Sequence, residues 1–363
     1  MNDKILVGVL ISAKRMKRLR EDILDRSLKL ILEANRTVGT RLFFFALENV
    51  DFKTKMIQGW SILEDAWVRC SFPYPQAIYL RSTYSRGNRQ LLSAFFRQLE
   101  RQQTVFINYP LRMDKWEMYK CLASHPGLEQ FVPLTWPIRS PEEIKELLES
   151  NPVLYLKACL SGRGKKVMRV ADLNTGEYYF TRYAEGLKTG KMHWGALLQE
   201  IEAFFNQSKI IAQKEIDLLK VAGCNVDFRA ELYRSDGNLP KIIGIPVRIG
   251  QPGSPITTHS VSMSLENFCA QYSLVDYDTF TKKAEEFLTE TYIALESCFG
   301  ESGELGIDFG LDTEGQLWFI EGNSHSAKVS LYNSYADDIL LQSYQGLLAY
   351  AQYRVSVYSS IKN

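Results

Sequence analysis

Apolar and polar positions follow two different rhythms along the first third of the chain. Residues 5–11 form an apolar run with no polar side chain, the pattern of a strand buried on both faces. Residues 21–35 instead repeat at helical spacing, with Ile23, Leu24, Leu28, Ile31 and Leu32 on one side. Further strands are predicted over 41–47, 77–80 and 104–108, and a helix over 88–102. Strands alternating with helices imply a small α/β unit with a mostly parallel sheet. No glycine-rich turn follows the first strand, so the pattern does not support a dinucleotide-binding unit.

The rhythm changes near residues 109 and 110. A helix is predicted over 114–124, and Pro133, Pro137 and Pro141 punctuate the connection after it. Ser140, with Glu143 three positions on, has the form of a capping box. Strands over 153–157 and 166–170 flank Gly162 and Gly164. A helix over 194–206 follows, then strands over 209–213, 226–234 and 241–249, and a long helix over 277–299. Strands over 306–311 and 316–320 make a hairpin around Thr313, Glu314 and Gly315, and a helix over 337–353 closes the chain.

Composition mainly excludes. The chain has 363 residues, 45% hydrophobic and 23% charged, which suits two or three packed globular units. Its 43 basic and 42 acidic residues give a formal net charge of +1, no ground for a nucleic-acid or membrane-surface partner. The basic run of residues 14–20 is expected to be a solvated helix start, and the aromatic-rich stretch 60–74 to be packing. Six scattered cysteines show no C-x-x-C pair and no zinc-ligand spacing, which suits a reducing compartment. Asp3 and Lys4 precede the first apolar run and basic residues follow it, so a buried strand is expected there rather than a signal peptide. No apolar run approaches the ~20 residues of a membrane helix. A cytoplasmic protein is expected.

Three constellations carry chemistry. Asp308 and Glu321 each stand at the end of an apolar strand, thirteen positions apart, and Asn323 follows two after Glu321. Alternate strand residues share a face, so a hairpin would bring two carboxylates and an amide oxygen together. An all-oxygen set of that kind suits magnesium, which accepts substrate phosphates as further ligands. Lys157 ends a strand expected to be buried, where it needs an anionic partner. The loop Ser161, Gly162, Arg163, Gly164, Lys165 follows it, with backbone N–H groups that can approach phosphate oxygens. Asp227 and Arg229 share a face of one strand and Arg248 lies on the next, a pair of guanidinium groups able to clamp phosphate or carboxylate.

Together these residues resemble the ATP-grasp superfamily, and more narrowly its YheC/YheD group, which is associated with endospore formation. The resemblance runs from the first strand to the last helix and is most specific from Lys115 to Asn323. It implies a Rossmann-like N-terminal pre-ATP-grasp domain over 1–110 and a two-lobed ATP-grasp domain over 111–358, with lobes of about 140–212 and 213–358. It implies that Lys115 and Lys157 reach ATP phosphates, that Ser161 to Gly164 close over the nucleotide, and that Gln213, Lys214, Glu215 and Ile216 form the hinge strand beside adenine. Glu215 is the expected ribose partner, with Asp217 in reserve. Asp308, Glu321 and Asn323 match the magnesium ligands, and Arg229 and Arg248 the catalytic arginines of the branch that extends peptides or proteins. The implied reaction is an ATP-dependent union of a carboxylate with an amine through an acyl phosphate, releasing ADP and phosphate.

The chain departs from its relatives after Arg248. They often carry an asparagine beside a threonine and then a glycine-rich turn; here Thr258 stands at the asparagine position. The departure leaves room for a spore-associated structural or binding protein without turnover, and the fold also admits a kinase acting on a hydroxyl group. Gln213 stands where many relatives have glutamate. His325 is either a substrate-binding or general-base residue or plain loop polarity, and Lys328 is expected to be solvated.

Overall fold

The computed structural model describes residues 4–64, 66–82, 88–108, 113–162, 166–184, 186–237, 239–257 and 261–362. Arg163, Gly164, Lys165 and Thr258 lie outside the described residues.

The first seven strands form one sheet: β1 (Leu6–Leu10), β2 (Arg41–Phe45), β3 (Val50–Asp51), β4 (Met56–Leu63), β5 (Ala66–Pro73), β6 (Ala77–Leu80) and β7 (Val105–Phe106). Its order is β3-β4-β2-β1-β6-β7, with β5 paired to β4. β1 runs parallel to β2 and β6, and β6 parallel to β7. Every residue of β1 is buried, as its uninterrupted apolar run requires. Three helices accompany the sheet: α1 (Ala13–Arg20), α2 (Arg26–Val38) and α3 (Arg89–Arg101). The helix expected over 21–35 is α2, which starts only at Arg26 because Asp22 adopts φ +56° and Asp25 caps it, accepting from Leu28 N at 3.1 Å; the basic run of residues 14–20 forms α1. The β4–β5 hairpin was not expected from the sequence. Buried positions alternate along β4, but Gly59 and Ser61 fill two of them, so no apolar period marks the strand; the hairpin joins the sheet through β4.

A short helix, α4 (Lys115–Ala123), leads to a second sheet of β8 (Thr135–Ile138), β9 (Val153–Ala158), β10 (Val167–Asp172), β11 (Glu177–Tyr183), β12 (Leu187–His193) and β13 (Ile210–Lys214). Its order is β12-β11-β10-β9-β13-β8, antiparallel throughout. α5 (Pro141–Ser150) and α6 (Trp194–Phe205) cover one face. β8 contains Pro137, which hid it in the sequence; as an edge strand it tolerates the missing N–H.

The third sheet holds β14 (Lys220–Val221), β15 (Cys224–Tyr233), β16 (Lys241–Gly244), β17 (Val247–Ile249), β18 (Val261–Met263), β19 (Glu304–Leu311) and β20 (Leu317–Asn323), in the order β18-β17-β15-β19-β20. The single strand expected over 241–249 is split at Ile245 and Pro246, so that both β16 and β17 pair with β15. α7 (Leu265–Tyr272) and α8 (Tyr277–Phe299) pack on one face. There Phe228 and Phe309 stack with centroids 5.2 Å apart, and Phe280 and Phe287 of α8 close the cluster. The other face of this sheet is polar. α9 (Val329–Ser334) and α10 (Asp337–Lys362) end the chain. α10 returns to the first sheet, where Leu340, Tyr344, Leu347 and Leu348 complete its core.

The scattered cysteines are not all reduced. Cys121 of α4 and Cys298 of α8 form a disulfide, while Cys70, Cys159, Cys224 and Cys269 are free. The two helices pack side by side, which brings residues 177 positions apart into reach. Alkylation of the denatured chain is therefore expected to label four thiols without reductant and six with it. Reduction should lower unfolding stability in urea by about 2–4 kcal/mol, since the bond closes a long loop. Six reactive thiols in the unreduced chain would contradict the pairing.

Candidate functional site

The polar face of the third sheet meets the second sheet across a cleft lined by residues of both. Strand periodicity builds its floor. Asp227 and Arg229 alternate on β15, and antiparallel register sets Arg229 opposite Asp308 of β19 and Asp308 opposite Glu321 of β20. A bulge after Asp308 shifts the hairpin register, so Phe309 pairs with Phe319 and keeps the aromatic face intact. The strand predicted over 316–320 continues to Asn323, which places that amide beside Asp308: Nδ2 donates to Oδ2 at 3.2 Å. Asp308, Glu321 and Asn323 thus converge as their spacing predicts.

The acids are held by cations. Arg229 Nε lies 2.7 Å from Asp308 Oδ1, and Arg248 Nη2 lies 3.0 Å from the same oxygen. Arg248 also grips Asp227 with two parallel bonds of 2.6 and 2.7 Å. Burial alone would pull the Arg248 guanidinium down, but Asp227 and Asp308 more than reverse that and hold it charged. Lys115, at the start of α4, reaches Glu321 Oε1 at 2.6 Å and Ser161 O at 3.3 Å. Asp114 caps that helix and so fixes the lysine's position.

Lys157 is different. It rises from β9 of the second sheet, and its ammonium donates to the neutral Gln213 Oε1 at 2.5 Å. Gln213 is itself oriented by Thr135, to which it donates at 2.9 Å. Burial pushes Lys157 down from 10.5 to about 8, and neighbouring Lys115 adds to the push; Glu321 and Asp308 resist it. The lining as a whole carries Lys115, Lys157, Lys214, Arg229 and Arg248 against Asp227, Asp308 and Glu321, an excess of positive charge. The lining also includes the apolar side chains of Val167, which stands opposite Lys157, and of Ile216, Leu218 and Ile320. A flat apolar group joined to a polyanion fits a lining of this mixed character.

The donor set also suits a divalent metal. Asp308 Oδ1 is buried and ion-paired, yet among the described residues no well-angled hydrogen bond reaches it. Two carboxylates and an amide oxygen are hard ligands of the magnesium type.

Not every expected residue joins the cleft. Gln213, Lys214 and Ile216 line it, but Glu215 does not: its carboxylate turns to Arg169 of β10, at 2.6 Å. Asp217 is paired with Lys220 at 2.7 Å. Ser161 donates its hydroxyl to Ala158 O, and neither it nor Gly162 is among the lining residues. Arg163 and Gly164 lie outside the described residues. Two polar contributors went unseen in the sequence: Tyr155 and Asn225 line the cleft. Thr257, in the run after Arg248 where the chain departs from its relatives, donates to Asp227 Oδ2 and ties the loop after β17 to the sheet. Tyr155 lies two before Lys157 on β9 and Asn225 two before Asp227 on β15, a period-two signal that could have found both. Lys328, expected in solvent, is buried among carboxylates.

The model of the YheC/D like ATP-grasp family matches residues 103–353, and the chain belongs to that family. It is 24% identical over 347 residues to the endospore coat-associated protein YheD of Bacillus subtilis (strain 168), covering 89% of this chain and 73% of that protein. D-cycloserine synthetase DcsG superposes with a TM-score of 0.57 at 13% identity, over 94% of this chain and 99% of that one. D-alanyl-alanine synthetase A from Vibrio cholerae gives 0.55 at 13%, over 96% and 99%. The ATP-grasp ligase PsnB complexed with minimal precursor gives 0.55 at 14%, over 95% and 100%, and PsnB has also been solved with Mg and ADP. These likenesses show the ATP-grasp fold.

The environment of Lys157 makes a stability prediction. At pH 7 the lysine is protonated in both the folded and the unfolded chain, so folding bears the cost of burying the charge. The displacement from 10.5 to about 8 corresponds to about 3 kcal/mol. As pH rises from about 8 towards 10.5, the folded chain releases a proton that the unfolded chain keeps, and stability recovers. Lys157→Met should stabilise the ligand-free protein at pH 7 and lose this recovery. Urea midpoints at several pH values between those limits check it; the same pH slope in both proteins would contradict it.

Proposed function

We propose that the chain is an ATP- and magnesium-dependent carboxylate–amine ligase. One observation carries this reading: the opposed pair Asp308 and Glu321, with Asn323 bonded to Asp308, sits in a cleft lined by Lys115, Lys157, Arg229 and Arg248 together with the apolar Val167, Ile216, Leu218 and Ile320. The adenine would lie against Val167, Ile216, Leu218 and Ile320, and the phosphates would meet Lys115, Lys157, Arg229 and Arg248. Asp308, Glu321 and Asn323 would hold magnesium, which supplies positive charge to the phosphate oxygens and orients them. In this reading residues 1–110 are an accessory α/β domain and 111–358 the ATP-grasp domain, with α10 packed back on the accessory core.

The reaction needs no nucleophile from the protein. A substrate carboxylate oxygen attacks the terminal phosphorus and ADP leaves. An amine then attacks the acyl carbon, the amide bond forms, and phosphate departs while the amine loses a proton to solvent. Arg229 and Arg248 are placed to stabilise charge on the transferring group, and Lys157 can give its charge to a phosphate because its present partner is neutral. The loop through Thr257, fixed to Asp227, would shape the acceptor side. Among the ligases that share the fold, one is named for D-alanyl-alanine and PsnB is complexed with a precursor peptide, and an amino-acid or peptide substrate is proposed here. No nucleic-acid partner is proposed.

A second reading has its own observations: a coat-associated relative and Thr258 in place of asparagine. It keeps the fold and nucleotide binding without turnover, at the spore. Thermal midpoints with ATP, with and without magnesium, separate the readings first. ATP at 100 times its dissociation constant should add about 2.7 kcal/mol of stability. Lys157→Ala should lose most of that rise, and Asp308→Asn with Glu321→Gln should lose the magnesium-dependent part. Hydroxylamine, offered as the amine with a panel of amino acids and peptides, should then yield hydroxamates and inorganic phosphate. A stable phosphorylated product would mean a kinase. No shift at millimolar ATP would remove the enzyme reading.

A further inference from the structure

We infer that Lys328 is a positioning residue for the Asp308, Glu321 and Asn323 cluster, acting through Ser326 and Glu231; the inference rests on the metal-binding role proposed for that cluster. The polar face of the third sheet does not stop at the cleft. Glu231 follows Arg229 on the same face of β15 and sits opposite Gly306, which in turn pairs with Asn323. A Cβ at Gly306 would lie 2.8 Å from Arg229 Nη1 and 3.2 Å from Ser326 Oγ, so these two groups occupy the space above the bare glycine. Ser326 donates to Glu231 Oε1 and accepts from Lys328 N at 3.2 Å. The Lys328 ammonium lies 3.0 Å from Glu304 Oε2 and 3.5 Å from Glu231 Oε2. From the first sheet, Arg81 donates to Ser326 O at 2.9 Å and Tyr79 to Glu304 Oε2 at 2.9 Å.

Arg81 and Lys328 balance Glu231 and Glu304, so the network is neutral. Lys328 is 1% exposed and does not line the cleft. Its backbone has φ +55°, a left-handed conformation that a residue with a side chain keeps only where its surroundings hold it. The chain leaving Asn323 is therefore turned and fixed within five residues. Asn323 itself is tied to Asp308 by one hydrogen bond, so its aim depends on where this segment runs. Groups behind metal ligands typically govern affinity by 10–100-fold through such orientation.

The test titrates magnesium at saturating ATP and records the concentration giving half of the metal-dependent rise in thermal midpoint. The ATP-induced rise without metal is measured alongside. Lys328→Met and Ser326→Ala should each raise the half-saturating magnesium concentration by roughly tenfold, with the metal-free ATP rise unchanged. Lys328→Arg should recover part of the loss. Ser326→Ala leaves no buried charge unpaired, so it decides the matter if Lys328→Met does not fold. A wild-type magnesium requirement in folded Ser326→Ala overturns the inference, as does equal weakening of the metal-free ATP rise. If the native chain shows an ATP rise but no magnesium dependence, the metal role of the cluster fails, and this inference falls with it.

Discussion

Asp308, a carboxylate at the centre of a sheet and 7% exposed, faces two guanidinium groups, and the rest of the cleft is arranged around that contact. Leaving such a charge unpaired would cost several kcal/mol. Arg229 stands opposite it by strand register, and Arg248 arrives from β17. Arg248 needs a second acid to hold its plane, and Asp227 supplies it with two bonds. Asp227 then has capacity left for Thr257, which fixes the following loop. Across the hairpin Glu321 draws Lys115 from α4. One buried carboxylate thus links three strands, a loop and, through its neighbour Glu321, a helix from another part of the chain.

The two walls of the cleft differ in how their charges are satisfied. On the third sheet each arginine has a carboxylate, whereas Lys157 on the second sheet faces an amide. Lys115 and Lys157 also disfavour each other, as the lowered value of Lys157 records. In the proposed reaction Asp308 and Glu321 give their oxygens to magnesium, and Lys115 and Arg229 then need new anionic partners, while Arg248 keeps Asp227. Phosphate oxygens meet that need at the same place. Positive charge that is costly in the empty cleft becomes useful on binding, and that differential favours a closed, loaded state over an open one.

Much of this was legible because it is periodic. Asp308, Glu321 and Asn323 could be brought together from a two-residue repeat and a turn, and Asp227 with Arg229 from the same repeat. Helix α8 announced itself by length and pattern. What could not be read was set by contacts distant in sequence. Nothing local marks Lys328 as buried, since Glu231 and Glu304 lie 97 and 24 positions away. Cys121 and Cys298 show no spacing motif because their partners are fixed by how α4 lies on α8. Glu215 fits a ribose hydroxyl by position alone, but Arg169 of the neighbouring strand takes it first. The β4–β5 hairpin and the Pro137 strand were missed for a different reason. Edge strands owe their form to pairing rather than to a buried face, so their sequences carry a weak pattern.

Gln213 gathers these points into one position. Its carbonyl accepts from Lys157, and its amide group donates to Thr135 on β8, so both ends of the side chain are used. A glutamate there could not donate to Thr135, and its charge would neutralise Lys157. The lysine would be better satisfied without ligand and less ready to meet an anion. A neutral partner keeps the ammonium in place, on the strand beside β13, without consuming its charge. Gln213 therefore holds Lys157 in a state that an incoming polyphosphate can improve. Because Lys157 stands on the second sheet and the paired arginines on the third, that improvement is felt across the cleft, where it can draw the two walls onto one ligand.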